Sequence, residues 1–459
     1  MNIKHTFWGL LLCLSPNLFA QGNATVVAYP APEGLTTSPD FTVSVNHKKI
    51  WTESVGNGGM ENLNVANYSA AGAQTITVTA SSPIKKYAIL PKSRHIAGHV
   101  NGRELIFTIS GPQKLYIEID TLPHLAIFSN PLEGNVPKAG DPGVTYYGPG
   151  TVHTEKQIDL QSNQTIYIAG GAVVNANIRG RNLQNVRIIG RGILNGNVQI
   201  SGTTNLEVNG IFIRNTRGWC NTLTDCHNTL YKNVKVFSYK TVWGIDGIDP
   251  VSCKNFMIDD CFIRTRDDCV SIKSELSRGR DTVKDINTDS ITVKNCVLMG
   301  WQHADGVTMG FELQGGLAQN VLVKNCDILS ARGQGRTGGH SAFSIVCDGP
   351  ATVQNIRYED IRVENAIEYK NLELIVTEGR RYGTAGPGLI KNVYLKNITW
   401  ANGDKPFVIA GIPTNYVENV TFDHCYLAGK LLTSMDDADF QTEFARGIKF
   451  IPSKTISKK

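Results

Sequence analysis

Nine segments of the chain share one short pattern, Asn-x-x-apolar-x-polar-apolar-x-apolar, and this repeat restricts the possible folds more than any other feature. It begins at Asn185 (NVRIIGRGI), Asn205, Asn228, Asn255 (NFMIDDCFI), Ser290, Asn320, Asn355, Asn392 and Asn419, at spacings of 20 to 37 residues. The apolar alternation is that of strands, and no helical period lies between the copies. Strands that recur irregularly every twenty to forty residues fit a coiled parallel β solenoid with loops of variable length on one side. The recurring Asn fits a turn or ladder position rather than a site.

The repeat also accounts for four of the ten cysteines. Its seventh position is Ile211, Val234, Cys261, Cys296, Cys326, Ile361, Ile398 and Cys425 in successive copies. Cysteine alternating with aliphatics fits a small hydrophobe stacked inside the solenoid rather than a disulfide framework. Cys220 and Cys226 are close enough in sequence to bridge.

At 459 residues the chain has room for one large domain and a smaller one. Residues 1–20 have the layout of a secretory signal peptide: MNIKH, an apolar run from Thr6 to Leu14, and a small residue at Ala20. No other stretch is apolar enough to span a bilayer, so a soluble protein working outside the cytoplasm, secreted or periplasmic, is expected. Residues 21–140 carry short alternating runs such as FTVSVNHKKIWTE and AQTITVTAS, which predict an antiparallel β-sandwich. The Pro- and Gly-rich segment NPLEGNVPKAGDPGVTYYGPGTVH then marks a change of architecture, with the solenoid expected over 141–430 and a C-terminal tail over 431–459. Lys and Arg number 45 against 40 Asp and Glu, and the single basic cluster, Lys449 to Lys459, fits a solvated end. Neither nucleic acid nor a membrane surface is indicated as a partner.

Each copy of the repeat is followed by a second apolar segment. Three consecutive copies write it GIDGIDP, RDDCVSI and HADGVTM, which puts Asp246, Asp268 and Asp305 at one level of neighbouring coils. Parallel strands lie about 4.8 Å apart, so these carboxylates would stand in a column if they face outward. Asp267 would join them only if a bend or bulge turned it round. Repulsion within such a column raises the pKa of at least one member, and that cost points to a site. Paired carboxyls suit general acid and base work on a glycosidic bond. Asp249, His303, Lys273, Glu312, Gln314 and His340 are candidates for sugar contacts, and Trp243 and Trp301 could stack on sugar rings.

The run DGID, with DDC placed 21 and 22 residues after its first Asp, resembles the right-handed β-helix glycoside hydrolase clan of polygalacturonases (family 28) and the dextranase and isopullulanase group (family 49). The segment YYGPGTVHTEKQIDLQSNQTIYIAGGAVVNANI, running into IIGRGIL, is similar to the start of that clan's helix, and a sandwich placed before the helix is similar to the dextranase group. The resemblance implies an all-β chain, an N-terminal β-sandwich followed by a right-handed parallel β-helix. It implies inverting hydrolysis of a polysaccharide or oligosaccharide, with Asp267 as general acid and Asp246 and Asp268 activating water, without metal or cofactor.

Two departures bear on the substrate. Where polygalacturonases have Gly-His-Gly, this chain has Ala304-Asp305-Gly306. Their Arg-x-Lys segment aligns with Phe343-Ser344-Ile345-Val346, although Arg332 or Arg336 in the insert RGQGRTGG could restore a cation. An added carboxylate and two lost cations would repel a uronate, so a neutral, dextran-like α-glucan or a sulfated sugar is expected rather than galacturonan. Three readings compete: a pectin hydrolase of the polygalacturonase type; a calcium-dependent lyase with Lys273 or Arg266 as base; and a non-catalytic glycan-binding solenoid.

Overall fold

The computed structural model describes residues 25–452, apart from 57–61, 215, 239–243, 279–280, 302–303, 332–340, 365–369 and 380–383. The expected signal peptide therefore lies outside the described residues.

From Val144 onward the chain coils as a parallel β-helix with three strands per turn. One turn consists of Lys254–Asp259, Phe262–Thr265 and Val270–Ser274, and the next of Thr288–Lys294, Val297–Gly300 and Val307–Leu313. First strands stack on first strands in a 13-stranded sheet, while second and third strands make up a 21-stranded path. Alternate residues point inward. Phe256 and Ile258, Ile263, and Val270 and Ile272 all belong to one continuous core.

The recurring Asn is the corner of this coil. All nine copies, Ser290 included, have φ between 52 and 60°, the left-handed conformation that Asn tolerates better than most residues. Their amides form an exposed ladder: Asn205 donates to Asn185 at 3.0 Å and Asn419 to Asn392 at 3.1 Å. At the serine copy the neighbouring Asp289 takes over and accepts from Asn320 at 2.9 Å. Inside the corner, Cys261, Cys296, Cys326 and Cys425 are buried with their thiols free, as are Cys220 and Cys226.

Residues before the helix form two packed sheets. The larger contains Leu63–Ala71, Lys114–Ile119 and His124–Asn130, and the smaller Phe41–Val45, Gln74–Ala80 and Glu104–Ile109. The sandwich is not wholly antiparallel, because Leu63–Ala71 pairs in parallel with His124–Asn130. The chain between these two strands passes through strands of both sheets, so no hairpin forces them to run opposite ways.

The sandwich covers the face made by the second strands of the helix. Phe128 and Tyr116 meet Phe212, Phe237 and Phe262 there, with Phe128 and Phe262 edge to face at 5.1 Å. Each aromatic buried in this way is worth about 1.5–3 kcal/mol. The seam also holds a bidentate pair between Arg214 and Glu53, both bonds 2.8 Å. With that face closed, the loops leading into the third strands border the open side.

The solenoid continues past 430. Phe440–Glu443 extends the third-strand stack, and Lys449–Ile451 pairs with Val417–Asp423. Phe440 and Phe450 pack against Phe422 and close the core end, so much of the expected tail is structural. These turns lack the Asn corner, which hid them in the sequence.

Candidate active site

The register of the third strands places the acidic residues. Ile248 pairs with Val270 and Val270 with Val307, so Asp246, Asp268 and Asp305 each stand two residues before a paired position. Two of them are followed by glycine for a steric reason. A Cβ on Gly247 would fall 2.3 Å from the Cys269 carbonyl oxygen, and one on Gly306 would fall 2.6 Å from that of Ala342. Close backbone stacking at this level thus depends on the Asp-Gly pairs.

The column forms, but it is not an open row of outward carboxylates. Asp246, Asp268 and Asp305 are 3%, 4% and 1% exposed, whereas Asp267 is half-buried. A bend at Arg266 and Asp267 precedes the strand, and Thr265 Oγ1 donates to the Asp267 carbonyl at 2.7 Å. This bend brings Asp267 round, so that one oxygen each of Asp246, Asp267 and Asp268 lies within 4.8 Å of the others. Asp267 accepts from the Gly244 N–H at 3.0 Å.

Asp305 supports the cluster from beneath. Its N–H donates to Asp268 at 2.8 Å, and its carboxylate accepts from the Ser341 N–H at 2.6 Å and from the Ser344 hydroxyl. Burial, followed by the charges of Asp305, Asp267 and Asp246, pushes the Asp268 carboxyl well above the usual range. Asp268 is therefore the member of the cluster that favours its protonated form.

Lys273 supplies the balancing charge. Its ammonium lies 3.2 Å from Asp246, 3.5 Å from Asp249 and 3.0 Å from Glu312. Burial alone would lower its pKa, but the carboxylates of Asp246, Glu312, Asp249 and Asp268 outweigh burial and raise it.

Among the other candidates, Trp301 is half-buried, with the Arg264 guanidinium 5.8 Å from its ring centroid. Gln314 braces a loop by accepting from the Leu276 N–H at 3.1 Å. Trp243, His303 and His340, with Arg332 and Arg336, lie outside the described residues. Trp219 was not singled out in the sequence, yet its ring centroid lies 3.2 Å from the Lys273 ammonium. The available signal was its position two residues before Asn221, which pairs with Ile248 and so puts Trp219 level with Asp246. Ser341 and Ser344 also went unnoticed, since nothing local marks a serine as a carboxylate's partner.

Residues 135–435 match the model of glycosyl hydrolases family 28. An exopolygalacturonase of Cochliobolus carbonum is 24% identical over 216 residues, 44% of this chain and 45% of the relative. A probable polygalacturonase of Vitis vinifera is 24% identical over 145 residues, 30% and 28% of the two chains. The chain thus spans less than half the length of these curated relatives. Dex49A from Penicillium minioluteum shares the fold at a TM-score of 0.57 and 14% identity, covering 92% of this chain and 96% of that one. A hyperthermoactive exopolygalacturonase from Thermotoga maritima does so at 0.53 and 18%, covering 68% and 84%. With a family model spanning most of a chain whose helix carries these carboxylates, the protein belongs to glycosyl hydrolases family 28.

Proposed function

We propose that this family 28 glycosyl hydrolase cleaves a polysaccharide with inversion, using Asp267 as general acid and Asp246 with Asp268 to activate water. The observation that carries the hydrolase reading is the approach of the three carboxyls to within 4.8 Å, with Asp268 pushed toward its protonated form; inversion rests on the resemblance to the clan. Asp267 is the member open to the groove, so it is the one that reaches the glycosidic oxygen. The neighbouring Asp268, which favours its protonated form, is the source of its proton. Asp246, paired with Lys273, accepts the proton of the attacking water.

The spacing also favours a second reading. Inverting pairs ordinarily stand about 6.5–9.5 Å apart and retaining pairs about 5–5.5 Å, and the closest oxygens here are nearer the latter. A retaining enzyme would use Asp246 or Asp268 as nucleophile. Proton NMR of the first-formed anomer separates the two: inversion gives the opposite anomer to the substrate, and retention gives the same one.

For the substrate we propose a neutral sugar at the point of cleavage. Asp246, Asp249, Asp268 and Glu312 act on Lys273, and Phe343–Cys347, beside Asp305, carries no cation. The curated relatives are named for polygalacturonase activity, so galacturonan is the reference against which a dextran-like α-glucan and a sulfated galactan are tested. Faster release of reducing ends from galacturonan than from either would overturn the proposal. A lyase mechanism fits less well, because Lys273 is held protonated among carboxylates and cannot serve as base. The layout of residues 1–20 supports action outside the cytoplasm, which fractionation of the expressing cells would test.

A further inference from the structure

A polar trough of about 450 Å³ runs along the helix on the N-terminal side of the carboxylates, and the mechanism above leaves it unused. Its floor is built from amides. Asn195 donates to Asn175 at 2.7 Å, and the Asn197 N–H donates to Asn177 at 3.0 Å. Lys156, Arg179 and Arg217 border it, all exposed, against a single bordering carboxylate, Glu155. Asp159 stands beside Arg179 in register, with its carboxylate accepting from Gln157. Among the described residues none of the three cations forms an ion pair.

The trough is continuous with the catalytic level. Asn197, itself buried, accepts from the Arg217 N–H at 3.0 Å and donates to the carbonyls of Arg217 and Trp219, both at 2.7 Å. This one side chain therefore fixes both the cation at the trough's end and the tryptophan on Lys273. The strand register from Ile158 through Ile178, Val198 and Asn221 to Ile248 puts Lys156, two residues before Ile158, four coils before Asp246, two residues before Ile248. At about 4.8 Å per coil that is roughly 19 Å. An extended glycan advances by about one sugar per coil, so a chain held at the carboxylates would lay its third and fourth sugars between Arg179 and Lys156.

Resting on the hydrolase reading above, we propose that this trough is a distal subsite that recognises an anionic substituent, carboxylate or sulfate, several sugars from the scissile bond. Charge is then divided along the groove. The acidic cleavage level takes a neutral sugar, while the basic end selects polymers that carry charge elsewhere. Unpaired exposed cations over a fixed amide floor supply the attraction and the hydrogen bonds that such a substituent needs.

The test uses the full chain carrying Asp267→Asn, so that ligands survive, in calorimetric titrations with three hexasaccharides: oligogalacturonate, a sulfated galactan and a neutral dextran fragment. At least one anionic ligand is expected to bind about tenfold more tightly than the neutral one. Adding Lys156→Gln and Arg179→Gln should remove most of that preference, the loss expected for two exposed charge contacts, while leaving the neutral ligand's affinity unchanged. Thermal melts of the variants check that these surface changes leave the fold intact. Equal affinity for neutral and anionic ligands, or a preference that survives the double substitution, overturns the proposal. A sulfate-only or carboxylate-only preference identifies the source of the anion. Wild-type cleavage of a polymer regardless of its charge would sink the subsite and leave the hydrolase standing; anion preference without cleavage of any polymer would do the reverse.

Discussion

The ammonium of Lys273 lies over the indole of Trp219, 3.2 Å from the ring centroid, and on its other side meets Asp246 at 3.2 Å. The two residues come from alternate coils, with Asp246 on the coil between them. A desolvated cation over an indole face is stabilised by about 2 kcal/mol. Trp219→Ala should lower unfolding free energy by about that amount, with Trp219→Phe recovering part of it. Urea denaturation reads both, and equal losses in the two variants would show that the ring face does not matter.

Lys273→Met should be more damaging, because it leaves the buried Asp246 and Asp249 and the half-buried Glu312 without their cation. Loss of one partner from a buried charge group costs about 3–5 kcal/mol. The sign with pH follows from the raised lysine pKa: its contribution is complete below the unfolded lysine value and is lost only as alkaline pH passes through the higher folded value. Wild type should therefore show no lysine-linked loss of stability at neutral pH. The variant should instead gain stability as pH falls and its stranded carboxylates protonate. Melting curves from pH 5 to 8 that run parallel for the two proteins would refute this.

Asp268 has the opposite linkage to an ordinary salt-bridged aspartate. Its folded pKa is raised, so the folded state holds more protons than the unfolded chain, and stability declines as pH climbs from the unfolded value toward the folded one. Asp268→Asn mimics the protonated carboxyl. It should be at least as stable as wild type at pH 7, with the difference shrinking toward pH 4, and it should lack activity. A variant clearly less stable than wild type at pH 7 would contradict the sign.

Asp267→Asn should reduce turnover by about 10²–10⁴, the usual contribution of a general acid, with little change in melting temperature since the residue is half-exposed. Initial rates on whichever polymer the wild type cleaves provide the measurement. Near wild-type turnover would move the acid to another carboxyl.

Treatment with EDTA should leave the rate unchanged, because the carboxyls act by proton transfer and Lys273 already occupies one side of Asp246. A loss of activity restored by calcium would favour a metal-dependent lyase instead.

Much of the architecture was legible because a solenoid is built from local rules. Each coil has an Asn (once Ser290) corner, inward alternation and a buried aliphatic or cysteine at the seventh position, and all three recur in the residues from Asn205 to Cys425. The level of Asp246, Asp268 and Asp305 followed from the same periodicity, since parallel register carries a position from one coil to the next. The last coils near Phe440 lacked the corner and were missed. What the sequence determined by itself was therefore the repeat and the order of the carboxylates, both set by near-neighbour backbone geometry, while the three strands per turn emerged only in the structure. Only the tertiary structure decided where the side chains turn. The bend that swings Asp267 into the cluster, the burial that makes Asp305 a support and the placing of Trp219 on Lys273 depend on loops from different coils meeting in space. Such contacts leave no periodic trace, because each is made once.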